Sequence, residues 1–124
     1  MRQTYREGGG FEEAAAYSRA VRIGPHIAVS GTAARGGGDA YAQAEEALQR
    51  ALSAAAELGA GIGDVLRTRL LLAPGCDWEG VVRAHREVFE GVNPANTTYF
   101  VAGFIPEGVL VEVELDAIVP EPPR

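Results

Sequence analysis

Three carboxylates at alternate positions are the residues of this sequence best suited to chemistry. Glu112, Glu114 and Asp116 lie in the segment 109–119, whose other positions are all apolar. Successive side chains of a strand point to opposite faces, so the three acids share one face. Acids this close repel one another unless water, cations or hydrogen-bond donors lie opposite them. The pattern therefore predicts a charged strand face, on which a carboxylate could orient or deprotonate a water molecule.

Two arginines are spaced to face these acids from a second strand. Arg67 and Arg69 alternate with uncharged residues in the segment 65–73. If this segment pairs with 109–119 in one sheet, the arginines meet the acids, and each such cross-strand pair contributes about 0.2–1 kcal/mol. The sheet would then carry one charged face.

Turn residues and apolar spacing divide the chain into six strands and two helices. Apolar residues recur at helical spacing over 41–58, after a potential N-cap at Asp39, and again from Trp78 towards Gly91, after Asp77. Alternation and Gly or Pro turns predict strands near 2–6, 18–22, 26–30, 65–73, 96–102 and 109–119. We expect residues 120–124 to form a tail.

This order of elements predicts an α+β fold. It is a two-layer sandwich in which both helices cover one face of a single mixed β-sheet. No repeat or linker interrupts residues 1–124, so we expect a single domain. The opposite sheet face, partly charged and partly apolar, suits packing against copies of the chain. A symmetric homo-oligomer is therefore expected, with a solvated monomer as the alternative.

Composition narrows the classes of function. The net charge is −6 and the 11 bases are all arginine, which disfavours binding to nucleic acid because phosphate neutralisation needs clustered bases. The single Cys76 and the lack of an apolar leader lead us to expect a cytoplasmic protein, and no apolar run is long enough for a membrane span. His26 and His85 have no companions at ligand spacing, so no metal site is predicted.

Six short motifs occur in order along the chain. They are 16–21 (AYSRAV), 29–31 (VSG), the helical segment 41–58, 63–65 (GDV), 94–97 (PANT) and 111–114 (VEVE). Together they resemble the RidA/YjgF family, the reactive-intermediate deaminases formerly described as endoribonuclease L-PSP-like proteins. The resemblance covers nearly the whole length.

The resemblance implies both an assembly and an activity. The assembly is a chorismate mutase-like homotrimer, with the sheets forming a barrel, the helices outside and a small-molecule cleft at each subunit interface. The better-known members hydrolyse 2-imino acids to 2-keto acids and ammonia, without a metal or organic cofactor. The resemblance thus implies a cofactor-free imine or enamine hydrolase whose ligand is polar or bears a carboxylate.

The resemblance also implies roles for particular residues. Glu112 matches a glutamate proposed to position the attacking water, although an ion pair with an arginine is an equal alternative. Tyr17 matches a cleft-lining tyrosine, and a purely structural interface role is its alternative. Ser30 and Gly31 match a turn whose backbone N–H helps to hold the substrate carboxylate. Thr98 matches a position where many members have a cysteine or another small residue.

One position departs from the better-known members. Their arginine after Pro-Ala grips the substrate carboxylate, and here that position is Asn96. An amide has no charge and a shorter reach, so we expect weak or absent activity on simple 2-imino acids. Arg69 is a candidate replacement cation near Glu112, but it could instead only neutralise the acidic strand.

Three functions compete at this point. The first is an imine or enamine hydrolase with non-standard specificity, and the second is a non-catalytic trimer that binds a metabolite or a protein. The third, a ribonuclease, is disfavoured by the net charge of −6. The environment of Glu112 discriminates between the first two functions. Hydrolysis requires its carboxylate to face an open cleft, whereas a carboxylate engaged in an ion pair indicates a structural or binding role. For Arg19 and Arg22 we expect salt bridges at the surface or at a subunit interface.

Overall fold

The computed structural model describes residues 1–120, so most of the predicted tail lies outside the described residues. All six strands and both helices occur close to their predicted positions. The strands are β1 (Arg2–Tyr5), β2 (Ala20–Ile23), β3 (His26–Ala33), β4 (Val65–Leu72), β5 (Ala95–Phe100) and β6 (Val111–Ile118). The helices are α1 (Gly10–Ala15), α2 (Ala40–Glu57) and α3 (Trp78–Phe89), with a 3₁₀ turn at Ile62–Asp64. The short α1 was not predicted, because it begins at the last of three consecutive glycines.

The six strands form one mixed sheet in the order β1-β2-β3-β6-β4-β5. All neighbours are antiparallel except β4 and β5, which are parallel. A parallel pair needs a crossover connection, and α3 supplies it. The last strand therefore lies inside the sheet, between β3 and β4, while β5 forms an open edge.

Both long helices cover one face of the sheet, as the predicted α+β fold requires. α2 packs on β3 and β6 and lies against α3. Along β6 the apolar positions are buried between the layers, while Glu112, Glu114 and Asp116 are only partly buried on the other face. Asp39 caps α2 by accepting the Ala42 N–H at 2.8 Å, and Asp77 caps α3 through Gly80 at 3.1 Å.

The helix-free face carries the charges that the sequence indicated. Arg67 lies opposite Asp116 and Arg69 opposite Glu114 across the β4–β6 pair. The Arg69 guanidinium lies 3.6 Å from the Glu114 carboxylate and 3.7 Å from that of Asp116. Arg67 instead donates a hydrogen bond to the Thr97 hydroxyl at 3.1 Å. The predicted pairing of arginines with the acidic strand is confirmed for Arg69.

Within residues 1–120, no helix combines the length and the apolar character that crossing a membrane would need.

Candidate functional site

A break in the sheet ladder creates the site. The pairing of β3 with β6 shifts its register between Val29 and Thr32, so Ser30 and Gly31 form an irregular, bulged segment. The Ser30 hydroxyl donates to the Ser18 carbonyl at 2.6 Å, and the Ser30 N–H donates to the Arg19 carbonyl at 2.9 Å. These two bonds hold the chain around Tyr17 beside the bulge.

Glu112 lies directly over Gly31. A Cβ atom placed on Gly31 would lie only 2.6 Å from Oε1 of Glu112, so the carboxylate occupies the space that any larger residue would fill. Glu112 is half-buried and lies opposite Ala33 on one side and Leu71 on the other. Among the described residues its carboxylate accepts no hydrogen bond and forms no ion pair, unlike Glu114 and Asp116.

The surroundings of Glu112 make its carboxyl group a stronger base than an exposed one. Burial raises the pKa of this carboxyl above its ordinary value. The positive charge of Arg19 partly opposes the rise, and the negative charge of Glu114 adds to it. A carboxylate with a raised pKa is better matched to proton transfer near neutral pH.

Tyr17 and Arg19 form the wall next to this carboxylate. Helix α1 ends at Ala15, the φ of 58° at the following Ala16 turns the chain sharply, and the Tyr17 N–H donates to the Glu12 carbonyl at 3.1 Å. The Arg19 guanidinium lies over the Tyr17 ring, 5.3 Å from its centroid, and donates to the Gly31 carbonyl at 3.1 Å. Within residues 1–120 Arg19 makes no ion pair, so a salt bridge at a subunit interface stays a prediction.

Tyr17, Gly31 and Glu112 border an open cleft of about 350 Å³ on the helix-free face. The segment that follows β5 closes its far side. The lining residues are Phe11, Tyr17, Gly31, Leu71, Val101, Gly103, Phe104, Ile105, Pro106 and Glu112. A space of this size suits a small molecule, and a single carboxylate among mostly apolar walls is typical of a ligand site.

Three predicted site residues lie elsewhere in the chain. The Asn96 side chain donates to the Thr68 hydroxyl at 3.0 Å and accepts from the Thr98 hydroxyl at 2.7 Å. Thr68 also bonds His85 of α3 at 2.8 Å, so this network faces the helices from the edge strand β5. Arg69 is engaged by its two acids and does not line the cleft. A ligand-binding role for these residues stays a prediction.

The structure thus brings Tyr17, Gly31 and Glu112 together, with Ser30 supporting them. Sequence reasoning did not find Arg19 or the lining segment 101–106. The signal for Arg19 was its spacing, because residues two apart in an extended segment project to the same side and Tyr17 was already a candidate. No comparable signal marked 101–106, whose course depends on the end of β5.

Comparisons with known proteins agree with this fold. The family model described as Endoribonuclease L-PSP matches residues 10–119. An uncharacterised protein of Streptomyces coelicolor is 43% identical over 116 residues, which cover 89% of this chain and 87% of that protein.

Two solved structures illustrate the range of similarity. Rv2704 of Mycobacterium tuberculosis, described as a member of the highly conserved YjgF/YER057c/UK114 family, has a TM-score of 0.91 at 39% identity, covering 96% of this chain and all of that one. The YjgF gene product of E. coli has a TM-score of 0.75 at 24% identity, covering 82% and 87%, which shows a shared fold alone.

Proposed function

Because the chain belongs to the endoribonuclease L-PSP family, also described as YjgF/YER057c/UK114, we propose that it is a RidA-like hydrolase of reactive imines or enamines. One observation carries this proposal. Glu112 is a half-buried carboxylate with a raised pKa, it has no partner among the described residues, and it borders an open cleft. A carboxylate held only for structure would be paired, as Glu114 is with Arg69.

The proposed reaction needs one base and one positioned water. Glu112 accepts a proton from the water as the water oxygen adds to the imine carbon, and it passes this proton to the imine nitrogen to give a carbinolamine. Glu112 then accepts the carbinolamine hydroxyl proton and delivers it to the nitrogen, so that the carbon–nitrogen bond breaks, ammonia leaves and the carbon becomes a carbonyl. Proton transfer by a positioned side chain typically contributes about 10²–10⁴-fold to a rate. No cofactor enters this scheme.

We further propose that the working form is a cytoplasmic homotrimer with a cleft at each subunit interface. The edge strand β5 supports this arrangement, since it is unpaired on one side and exposes Tyr99 and Phe100 by about half. A role for Asn96 and Thr98 in ligand binding would require the β5 edge of one subunit to border the cleft of its neighbour. The ligand is a polar or carboxylate-bearing small molecule, and neither nucleic acid nor a membrane is an expected partner.

Asn96 predicts a specificity unlike that of the better-known relatives. An uncharged amide at this position holds a carboxylate beside the imine carbon less firmly than a guanidinium does. We therefore expect the wild type to hydrolyse 2-iminopropanoate and 2-iminobutanoate weakly or not at all.

The experiment compares the wild type with the Asn96→Arg and Glu112→Gln variants on both freshly generated imino acids. A gain of activity in Asn96→Arg, abolished when Glu112→Gln is added, would show that the cleft and its base are competent. Full activity of the wild type would contradict the importance of Asn96. If neither the wild type nor Asn96→Arg hydrolyses these or any longer imino acid, the mostly apolar cleft supports the alternative. That alternative is a non-catalytic trimer that binds a metabolite or a protein.

A further inference from the structure

A second cavity adjoins the cleft. It measures about 330 Å³ and shares Phe11 and Tyr17 with the cleft as a common wall. Its charged lining residues are Glu7, Glu12, Arg19, Arg35 and Arg50. Three arginines thus meet two glutamates here, in a chain whose net charge is −6.

The two glutamates of this cavity are already engaged. Glu7 accepts from Arg50 at 2.6 Å and from Arg35 at 3.0 Å. Glu12 is buried and accepts the backbone N–H groups of Glu7 at 3.1 Å and Gly9 at 3.0 Å. Glu12 therefore stays with its own loop, and Glu7 holds two of the arginines in place.

Arg19 differs from the other two arginines. Among the described residues its guanidinium makes one hydrogen bond, from Nη1 to the Gly31 carbonyl at 3.1 Å. A guanidinium has five N–H donors, so most of those on Arg19 are available to a ligand. The Tyr17 ring beneath it, 5.3 Å away, fixes its position without consuming a donor.

We infer that Arg19 binds an anionic group of the ligand, which extends over Tyr17 from the cleft into the second cavity. This inference rests on the proposed function, since it assigns the substrate class of the same site. Arg19 lines the second cavity and not the cleft, whereas Glu112 lines the cleft and not the second cavity. The anion is therefore separated from the carbon attacked by water, rather than attached to it.

The substrate class that fits this separation is an imino acid with a second, distal carboxylate. A guanidinium binds a carboxylate through two parallel hydrogen bonds, which a shorter ammonium or an amide does not reproduce. The C5 compound 2-iminoglutarate and its hydrolysis product 2-oxoglutarate carry this distal group. The three-carbon and four-carbon imino acids of simple amino acids lack it, in line with the weak activity expected on them.

The test measures a preference for charge by isothermal titration calorimetry. Its probes are 2-oxoglutarate and its N,N-dimethyl amide at the distal carboxyl, which carries a neutral amide in place of the distal carboxylate and cannot close to a lactam. We expect the wild type to bind the diacid at least tenfold more tightly than the amide. Arg19→Gln should abolish this preference by weakening the binding of the diacid alone. Arg19→Lys should retain part of the preference. If Arg19 were only structural, its loss would weaken the binding of both probes equally.

Two variants serve as comparisons. Arg83 also lies over a tyrosine, Tyr41, at 4.2 Å, but on the helices, so Arg83→Gln should keep the wild-type preference. A preference that disappears in Arg69→Gln and survives in Arg19→Gln would assign the anion to Arg69 and overturn the inference. A wild type without any preference would overturn it as well. Arg19→Lys keeps the charge, so it provides the test even if Arg19→Gln fails to fold.

Hydrolysis of 2-iminoglutarate separates this inference from the proposed function. If the preference depends on Arg19 and no protein variant releases ammonia faster than buffer, the inference stands and the hydrolase proposal fails. If the wild type hydrolyses 2-iminoglutarate but Arg19→Gln retains both its rate and its charge preference, the hydrolase proposal stands and the inference fails.

Discussion

The contact between Gly31 and Glu112 gives a sharp prediction for a single added methyl group. In Gly31→Ala the new Cβ would lie 2.6 Å from Oε1 of Glu112, whereas an ordinary contact begins at 3.4 Å. The carboxylate must therefore retreat by roughly 0.8 Å. A misplacement of about 1 Å at a reacting group costs about 100-fold in rate, or roughly 2.7 kcal/mol of transition-state stabilisation. We expect a loss of that size in kcat/KM.

The same substitution should leave the fold nearly intact. The atom that must move is the far end of a flexible side chain, and Gly31 is not among the described glycines with positive φ. Loss of a glycine also reduces the entropy of the unfolded chain, which offsets part of any strain. We expect the free energy of unfolding, measured in urea, to change by less than about 1 kcal/mol.

The assay is ammonia release from freshly generated 2-iminoglutarate, with Gly63→Ala as the matched control. A Cβ at Gly63 meets nothing within 4 Å, and this residue lies in the 3₁₀ turn away from the cleft. We expect the control to keep the wild-type rate. Wild-type kcat/KM in Gly31→Ala would refute the argument that the position of the Glu112 carboxylate limits the reaction.

Four further predictions concern the cleft and the network beside it. Hydrolysis should fall as pH drops through the raised pKa of Glu112, and in Arg19→Gln the acid limb of the kcat/KM profile should move to higher pH because the cation that lowers this pKa is gone. Glu112→Gln should unfold in urea at pH 7 with a free energy equal to or above that of the wild type, since a raised pKa means that the fold disfavours the charged form. Thr68→Ala should lower the free energy of unfolding in urea by about 1–3 kcal/mol, because Asn96 and His85 lose their shared hydrogen-bond partner. Burial lowers the pKa of His85, so stability should decrease as pH falls below about 6.5, where the unfolded histidine binds a proton first, and His85→Gln should remove this part of the pH dependence in urea unfolding.

Much of the fold could be predicted because its signals are local. The alternation in β6 and the helical spacing in α2 and α3 each depend on neighbouring residues only, and the structure confirms them. The pairing of β4 with β6 could be predicted as well, since opposite charges at matched spacing indicated it. Helix α1 was missed because glycines precede it, and its buried Glu12, which accepts the N–H groups of that loop, gave no apolar signal.

The site was less accessible to sequence reasoning. Tyr17, Gly31 and Glu112 were identified through a family resemblance, and the structure places them together. Which groups line the cleft depends on the register shift in β3 and on where β5 ends, and neither follows from side-chain alternation. For the same reason the sequence drew attention to Arg69, whose charge is taken up by Glu114 and Asp116, rather than to Arg19.

The most direct test of the central claim compares two carboxylates on one strand face. Glu112 and Glu114 are two residues apart, but Glu112 borders the cleft and Glu114 is paired with Arg69. The measurement is ammonia release from 2-iminoglutarate by the wild type, Glu112→Gln and Glu114→Gln, each corrected for the spontaneous rate. We predict that Glu112→Gln loses about 100-fold or more in kcat/KM and that Glu114→Gln stays close to the wild type. Equal rates for the wild type and Glu112→Gln would contradict the account.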